Sequence, residues 1–172
     1  MIVIEFNDDA VSAALSRLSA GLSDLTDPMN DIGAALVRST RDRIAAGVTP
    51  EGVPFAPRSQ ATLDHYAATG RTPKGGPLVM EDDLRTHIYH EYGPDYALVG
   101  SNAVQAAVMQ FGARQGEFGA HIGRDKLGRD HFHHIPWGDI PARPFLGLSD
   151  QDRSDVTAEL AEWLEESLRG GA

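Results

Sequence analysis

The sequence contains no cysteine, which excludes a disulfide framework and a thiolate metal site. No apolar run approaches the roughly 18 residues that a membrane-spanning helix requires. The first residues, MIVIEFNDD, are acidic where a secretory signal peptide would be basic. These absences predict a protein that folds in a reducing cytoplasm and does not enter a membrane.

Basic charge is also scarce, since 15 Lys and Arg side chains face 25 Asp and Glu side chains and the net charge is −10. Because neutralising phosphate needs a basic footprint, we expect no bulk or sequence-specific binding of nucleic acid. The charge is uneven. Residues 38–74 hold six basic and three acidic side chains, and residues 150–169 hold seven acidic and two basic ones. This split permits head-to-tail contacts between copies, although two ordinary solvated faces explain it equally well.

Motifs for the common catalytic chemistries are missing as well. The sequence has no P-loop, no Rossmann fingerprint, no G-x-S-x-G turn and no cysteine nucleophile. Residues 70–76 are basic and glycine-rich but lack the flanking strand and helix of a phosphate cradle. Glu81-Asp82-Asp83 could hold Mg²⁺ for a nuclease, but an acid-rich helix N-terminus is the simpler explanation because the helix dipole favours it. We therefore expect no enzymatic activity and no cofactor.

One histidine cluster raises a metal hypothesis. His131, His133 and His134 are close in sequence, and an H-x-H pattern places two imidazoles on one side of a strand. The sequence offers no second ligand cluster at a suitable spacing and no H-E-x-x-H motif. We therefore favour a polar intersubunit loop, with Phe132 and Trp137 as aromatic anchors, over a metal site.

Hydrophobic periodicity and turn signals predict an α+β fold, in which a small antiparallel sheet is packed by N-terminal and C-terminal helices. We expect one domain over residues 1–172, with long loop extensions that act as arms at 69–77 and 113–139. The first predicted elements are a strand at 2–6, a helix capped by Asp8 or Asp9, a second helix that Asp27-Pro28 starts and that ends near Gly47, a loop with buried apolar anchors at 48–57, and a short helix at 59–68. They are followed by a hairpin of 86–92 and 96–101 around Gly93-Pro94-Asp95, a helix from Ala103 to Phe111 between Asn102 and Gly112, and a last helix capped by Ser149.

Three segments carry recognisable motifs. They are 51–57 (EGVPFAP) followed by Thr62-Leu63, 99–101 (VGS) followed by Ala106 and 109–112 (MQFG), and 140–149 (IPARPFLGLS). In this order they resemble the phage virion morphogenesis family, also called tail-completion proteins, of Mu-like phages and prophages. The third segment matches the family pattern I-P-A-R-P-F-L-G-x-S throughout. Phe55 stands where the family usually has Trp, and Met109 stands where His is common, which argues against required histidine chemistry there.

The resemblance implies a structural protein that completes the tail or joins head to tail in the neck of a tailed phage. Such a protein is assembled in the bacterial cytoplasm, stays in the virion, and has no cofactor and no catalytic residues. Its expected partners are other copies, in a six-fold or twelve-fold ring around the DNA path, and neck proteins such as a portal-side connector, a tail terminator or the tail tube. The alternative is a transient assembly factor for capsid or tail that the mature virion does not retain.

Six side chains are candidate intersubunit contacts, namely Phe55, Phe111, His133, Trp137, Arg143 and Phe145. Because the prolines beside Arg143 restrict the backbone, we expect a rigid strut there. Arg143 then reaches a neighbouring subunit or, in the simpler alternative, forms an intramolecular salt bridge that locks the last helix onto the sheet. For Phe111 the simpler alternative is a core aromatic at a helix end that Gly112 terminates.

Overall fold

The computed structural model describes residues 9–73, 75–79, 83–114, 117, 120–124, 130–134 and 139–169. Within these residues, helices are combined with two two-stranded sheets, which confirms the predicted α+β class. The strand predicted at residues 2–6 lies outside them. In chain order the elements are α1 (Asp9–Leu22), α2 (Thr26–Ala46), α3 (Gln60–Ala68), α4 (Asp83–Thr86), β1 (Ile88–Tyr92), β2 (Ala97–Ser101), α5 (Ala106–Phe111), β3 (Ala120–Arg124), β4 (Asp130–His134) and α6 (Asp150–Arg169).

Two compact units make up this fold. The first unit contains residues 9–39, 89–100 and 148–169, and the second contains the described residues of 40–88 and 101–147. Helix α2 contributes residues to both units. The prediction of one domain over residues 1–172 stays a prediction. None of the described helices is long and apolar enough to cross a membrane.

In the first unit, α1 packs on α6 and the β1–β2 hairpin packs on α2. Helix α1 has leucines at positions 15, 18 and 22, at the steps of three and four residues that are typical of one helix face, and it packs along α6. The β1–β2 hairpin lies on α2, where Gly33 leaves room for His90, because a Cβ on Gly33 would lie only 2.4 Å from His90 Cδ2. His90 Nε2 and Asn30 Oδ1 are hydrogen-bonded at 3.1 Å, and the Leu25 N–H donates to Pro94 O at 2.9 Å. One face of the hairpin is therefore held against α2.

Ser149 caps α6, as predicted. Its hydroxyl accepts the Asp152 N–H at 3.1 Å, and the Asp152 carboxylate accepts the Ser149 N–H at 2.8 Å. This is a capping box in which aspartate takes the place usually held by glutamate or glutamine. The same carboxylate accepts the Ser39 hydroxyl at 2.5 Å and is 4% exposed. A buried carboxylate with several donors therefore joins the start of α6 to α2.

A small apolar core organises the second unit. Its most deeply buried large side chains, each at most 6% exposed, are Ile44, Phe55, Leu84, Ile88 and Phe145. The loop after α2 closes a turn in which the Gly52 N–H donates to Thr49 O at 2.9 Å and the Phe55 N–H donates to Gly47 O at 2.8 Å. This turn brings Phe55 into the core, which confirms the predicted apolar anchor. Burying an aromatic ring of this kind contributes about 1.5–3 kcal/mol.

The starts of two helices differ from prediction. Helix α5 begins at Ala106 rather than Ala103, and Gln105, not Asn102, occupies its N-cap position without a side-chain cap bond. The reason is that the Ser101 hydroxyl accepts the Ala103 N–H at 3.3 Å, and a turn then precedes the helix. Helix α2 begins at Thr26 rather than after Asp27.

Residues 113–139 also differ from prediction, because they contain paired strands and not only loop. Strands β3 and β4 are antiparallel, with Cα partners running from Ala120 opposite His134 to Arg124 opposite Asp130. Glycines and charged residues around this ribbon hide the alternation that would indicate strands in the sequence.

Candidate functional site

The most specific of the three motifs spans residues 140–149, and its first eight residues, here called the 140–147 segment, lie in the second unit. This segment is bound along α5. Ala113 and Ile140 exchange backbone hydrogen bonds of 2.9 and 2.7 Å, and the Arg143 N–H donates to Met109 O at 2.7 Å. Gly112 makes this approach possible, because a Cβ there would lie 2.7 Å from Ile140 O and 2.8 Å from Ala142 N. Its φ of 75° also falls in the left-handed region that favours glycine.

Arg143 holds the segment against the loop that follows Phe55. Its Nε donates to Ala56 O at 2.7 Å, its Nη2 donates to Pro57 O at 2.7 Å, and its Nη1 donates to Pro141 O at 3.4 Å. The side chain is 6% exposed. Burial lowers the pKa of the Arg143 guanidinium, and the positive charge of Arg58 lowers it further. The contact is intramolecular, but its partners are carbonyls of a loop, which corrects the predicted salt bridge that locks the last helix.

Gln110 clamps the same segment from the other side. Its Oε1 accepts the N–H groups of Phe145 and Leu146, both at 3.0 Å, and its Nε2 donates to Leu146 O at 3.1 Å. This amide therefore satisfies three backbone groups and fixes the backbone that carries the fully buried Phe145 ring. Sequence reasoning missed this role. The only signal was the position of Gln110 within the second motif.

Arginines of the basic segment 38–74 also donate hydrogen bonds to backbone carbonyls of the second unit. Arg43 is 8% exposed and donates to Gly147 O at 2.9 Å and to the Thr40 hydroxyl at 3.1 Å. Arg41 donates to the carbonyls of Arg85 and Ile88 at 3.2 and 2.9 Å. These cations therefore serve their own unit, which leaves fewer of them for the head-to-tail contacts that the charge split permits.

Arg58 extends this pattern to the predicted arm at 69–77. It donates to Gly75 O at 3.3 Å, Gly76 O at 2.5 Å and Val79 O at 3.2 Å. The end of the segment is therefore bound to the second unit. Whether the rest acts as an arm stays a prediction.

The six candidate contacts are divided by burial. Phe55, Arg143 and Phe145 are at most 6% exposed and serve the core of their own chain. Phe111 is 79% exposed, so the prediction of a core aromatic is wrong, although Gly112 ends α5 as expected. His133 lies on β4 opposite His121, and Trp137 lies outside the described residues. An intersubunit role for any of the six stays a prediction.

No catalytic or metal arrangement emerges from the described residues. They include no group of three or more His, Asp or Glu side chains that could hold a metal ion. Polar side chains of the second unit bind backbone carbonyls instead. Gln110, Arg43 and Arg143 all donate hydrogen bonds to such groups. Such an arrangement fixes the path of the backbone in this unit.

Comparisons with known proteins agree with the three motifs. The sequence profile of the phage virion morphogenesis family matches residues 6–165. Mu-like prophage FluMu G protein 2 of Haemophilus influenzae is 27% identical over 166 residues, which cover 96% of this chain and 97% of that protein. Putative capsid assembly protein G of Escherichia phage Mu is 27% identical over 169 residues, which cover 94% of this chain and 97% of that protein. No solved structure is a significant match to the chain.

Proposed function

Because the chain belongs to the phage virion morphogenesis family, we propose that it completes the tail or joins head to tail in the neck of a tailed phage. In this role several copies form a ring around the DNA path, in contact with the neighbouring neck proteins. The name of the phage Mu relative, putative capsid assembly protein G, describes assembly rather than catalysis, which fits a protein without a reaction to perform.

One observation carries this proposal. The most specific family motif, the 140–147 segment, is used to hold the chain's own backbone through Arg143, Gln110 and Arg43. A motif that served an enzyme would be expected to present polar groups to a substrate. Here those groups are consumed in building a rigid body, which is what a joint that transmits force between head and tail requires.

Each of the two units carries surface features of an assembly protein. Several large apolar side chains are exposed, among them Leu98 at 58%, Phe111 at 79% and Val104 at 98%. Exposed apolar patches are typical of protein–protein contacts, because burying them against a partner is favourable. Covering these side chains with neighbouring subunits removes them from water.

The acidic helix α6 has a possible place in such a ring. Its carboxylates Asp155, Glu162 and Glu166 are exposed. A helix of this charge beside the DNA path would repel phosphate and let the genome slide through. A reconstruction of the assembled ring with α6 on its outer surface would contradict this part of the proposal.

The experiment that tests the proposed role is complementation of a phage that lacks this gene. Without the protein, we expect heads and tails to accumulate separately in lysates, as seen by electron microscopy, and a plasmid copy to restore joined particles. Joined, normal particles in the absence of the protein would overturn the proposal.

Mass spectrometry of purified particles separates the structural role from a transient one. A structural protein of the neck is retained, in a few to about a dozen copies per particle if it forms one ring. Complete absence from mature particles would favour the alternative, an assembly factor that leaves, for which the name of the phage Mu relative offers some support.

A further inference from the structure

We propose that the copies associate head to tail, the outer face of the β1–β2 hairpin of one copy binding the end of α5 of the next. This inference rests on the proposed multimer and names the contact that builds it. The two surfaces belong to different units of the chain, and each is defined by its own residues.

The hairpin surface consists of Tyr89, Glu91, Asp95, Tyr96 and Leu98. Tyr89, Tyr96 and Leu98 are 44%, 46% and 58% exposed. Tyr89 lies across β2, since its hydroxyl is 3.7 Å from the position of a Cβ on Gly100. Together these side chains form an aromatic and aliphatic surface on the side of the hairpin that α2 leaves open.

The charge of the hairpin surface has one sign. Glu91 and Asp95 are exposed, and neither carboxylate makes a hydrogen bond or ion pair within the part of the chain that the structure describes. The sequence has no Lys or Arg from residue 86 to residue 113. The hairpin therefore lacks a cation of its own, and a partner that supplies one beside an apolar group fits it best.

The α5 surface has the complementary chemistry. Phe111 is 79% exposed and Val104 is 98% exposed. Arg114 follows three residues after Phe111, is exposed, and makes no side-chain hydrogen bond or ion pair to any described residue. An exposed aromatic that is followed three residues later by an arginine without a described partner offers an apolar group and a cation, which match the exposed tyrosine and the glutamate of the hairpin surface. Arginine suits this contact because it stacks on aromatic rings and pairs with carboxylates.

The charges also decide the symmetry of the contact. Two hairpin surfaces placed face to face would bring Glu91 against Glu91 with no cation from either hairpin, and like charges in contact are unfavourable. A contact between two different surfaces is heterologous, and repetition of it closes into a ring or continues as a filament. A ring therefore needs no second kind of interface, provided that the rotation between neighbouring copies closes.

Cysteine cross-linking tests the pairing directly, because the natural chain has no thiol. Full-length Leu98→Cys and Ala107→Cys variants, the second on α5 one turn before Phe111, are mixed in equal amounts and mildly oxidised. One variant carries a tag so that mixed dimers are distinguished by mass. We expect mixed dimers to exceed both homodimers. Leu98→Cys mixed with Ala158→Cys, an exposed alanine on α6, is the control and should give few mixed dimers.

Two results would overturn the pairing. Homodimers of Leu98→Cys in excess of mixed dimers would indicate a face-to-face contact instead. Mixed dimers that are no more abundant with Ala107→Cys than with Ala158→Cys would show that the hairpin has no preference for α5.

A charge exchange tests the predicted pair of Glu91 and Arg114. In sedimentation of the purified full chain, Glu91→Arg and Arg114→Glu are each expected to raise the dissociation constant between copies by about tenfold or more. The double variant is expected to recover most of this loss, because the pair is restored with reversed polarity. Glu162→Arg makes the same charge change on α6 and should leave the dissociation constant within about threefold.

The outcome of the charge exchange is independent of the proposed role in the neck. If the natural chain stays monomeric at every concentration, or if the double variant is weaker than both single variants, the contact is refuted. If the single variants associate normally but fail to restore joined particles, the contact lies with another neck protein and the proposed function stands.

Discussion

The 140–147 segment and the β1–β2 hairpin both carry side chains that suit contacts between subunits, but they use them differently. In the segment, Arg143 and Phe145 are at most 6% exposed and act within the chain. In the hairpin, Tyr89 and Leu98 are at least 44% exposed. The comparison teaches that the residues of a recognisable motif can be used to build the scaffold of the chain, while exposed side chains elsewhere remain available for a partner.

Two phenylalanines of the second unit, Phe145 and Phe111, sharpen this comparison most. Phe145→Ala is expected to lower the free energy of unfolding by about 3–5 kcal/mol, because it leaves a cavity in the core. Phe111→Ala is expected to change it by less than about 0.5 kcal/mol, because the ring is already in water. Urea denaturation of the two variants checks both values. Equal losses would contradict the division between scaffold and surface.

Arg143 provides the next largest effect. Arg143→Met removes the donors to Ala56 O and Pro57 O and is expected to cost about 1.5–3 kcal/mol, because two hydrogen bonds from a charged donor are lost at a partly buried site. Arg143→Lys should recover only part of this loss, since a single ammonium group cannot reproduce the planar fork. Arg153→Met, at an exposed position of α6, is the control. Full recovery with lysine would show that a point charge is sufficient.

The capping box in the first unit has a smaller expected effect. Ser149→Ala removes the acceptor for the Asp152 N–H and should lower the free energy of unfolding by about 1 kcal/mol. Ser154 lies on the exposed side of α6, and Ser154→Ala is the control. It should be neutral or slightly stabilising, because alanine favours the helical conformation. Thermal unfolding of the pair measures the difference. A neutral Ser149→Ala variant would mean that Asp152 and Ser39 suffice to hold this helix end.

The smallest expected effect is the pH dependence of the stability that Asp24 contributes at the start of α2. Hydrogen bonds from the Thr26 hydroxyl and N–H hold the pKa of Asp24 below its usual 3.8. Because the folded pKa lies below the unfolded one, this contribution is complete above pH 3.8 and is lost as the pH falls through the folded pKa. Asp24→Asn should therefore reduce the loss of stability on acidification. The free energy of unfolding, measured as a function of pH, checks this. An equal loss of stability below pH 3.8 in the variant and the natural chain would contradict it.

The sequence predicts those elements that local patterns encode. The leucine spacing of α1, the turn at Gly93-Pro94-Asp95 and the cap at Ser149 each lie within a few residues of the structure they determine. The predicted start of α5 was wrong because the Ser101 hydroxyl accepts the Ala103 N–H, and the helix then begins three residues later, at Ala106.

The site was less predictable than the fold. Arg143 and Phe145 stand out in the sequence as part of a proline-restricted run, but their partners do not. Arg143 binds carbonyls that are 86 and 87 residues away. Every residue has a carbonyl oxygen, so nothing in the sequence marks those of Ala56 and Pro57 as the two that accept hydrogen bonds from Arg143.

The sequence by itself determined the family, the α+β class and the places where helices and the first hairpin form, because periodicity, caps and motifs are local properties. Only the tertiary structure decided which of the conspicuous side chains are consumed inside the chain and which remain on its surface. Burial depends on contacts between distant segments. Phe111 and Phe145 therefore look equivalent in the sequence, while one is 79% exposed and the other fully buried.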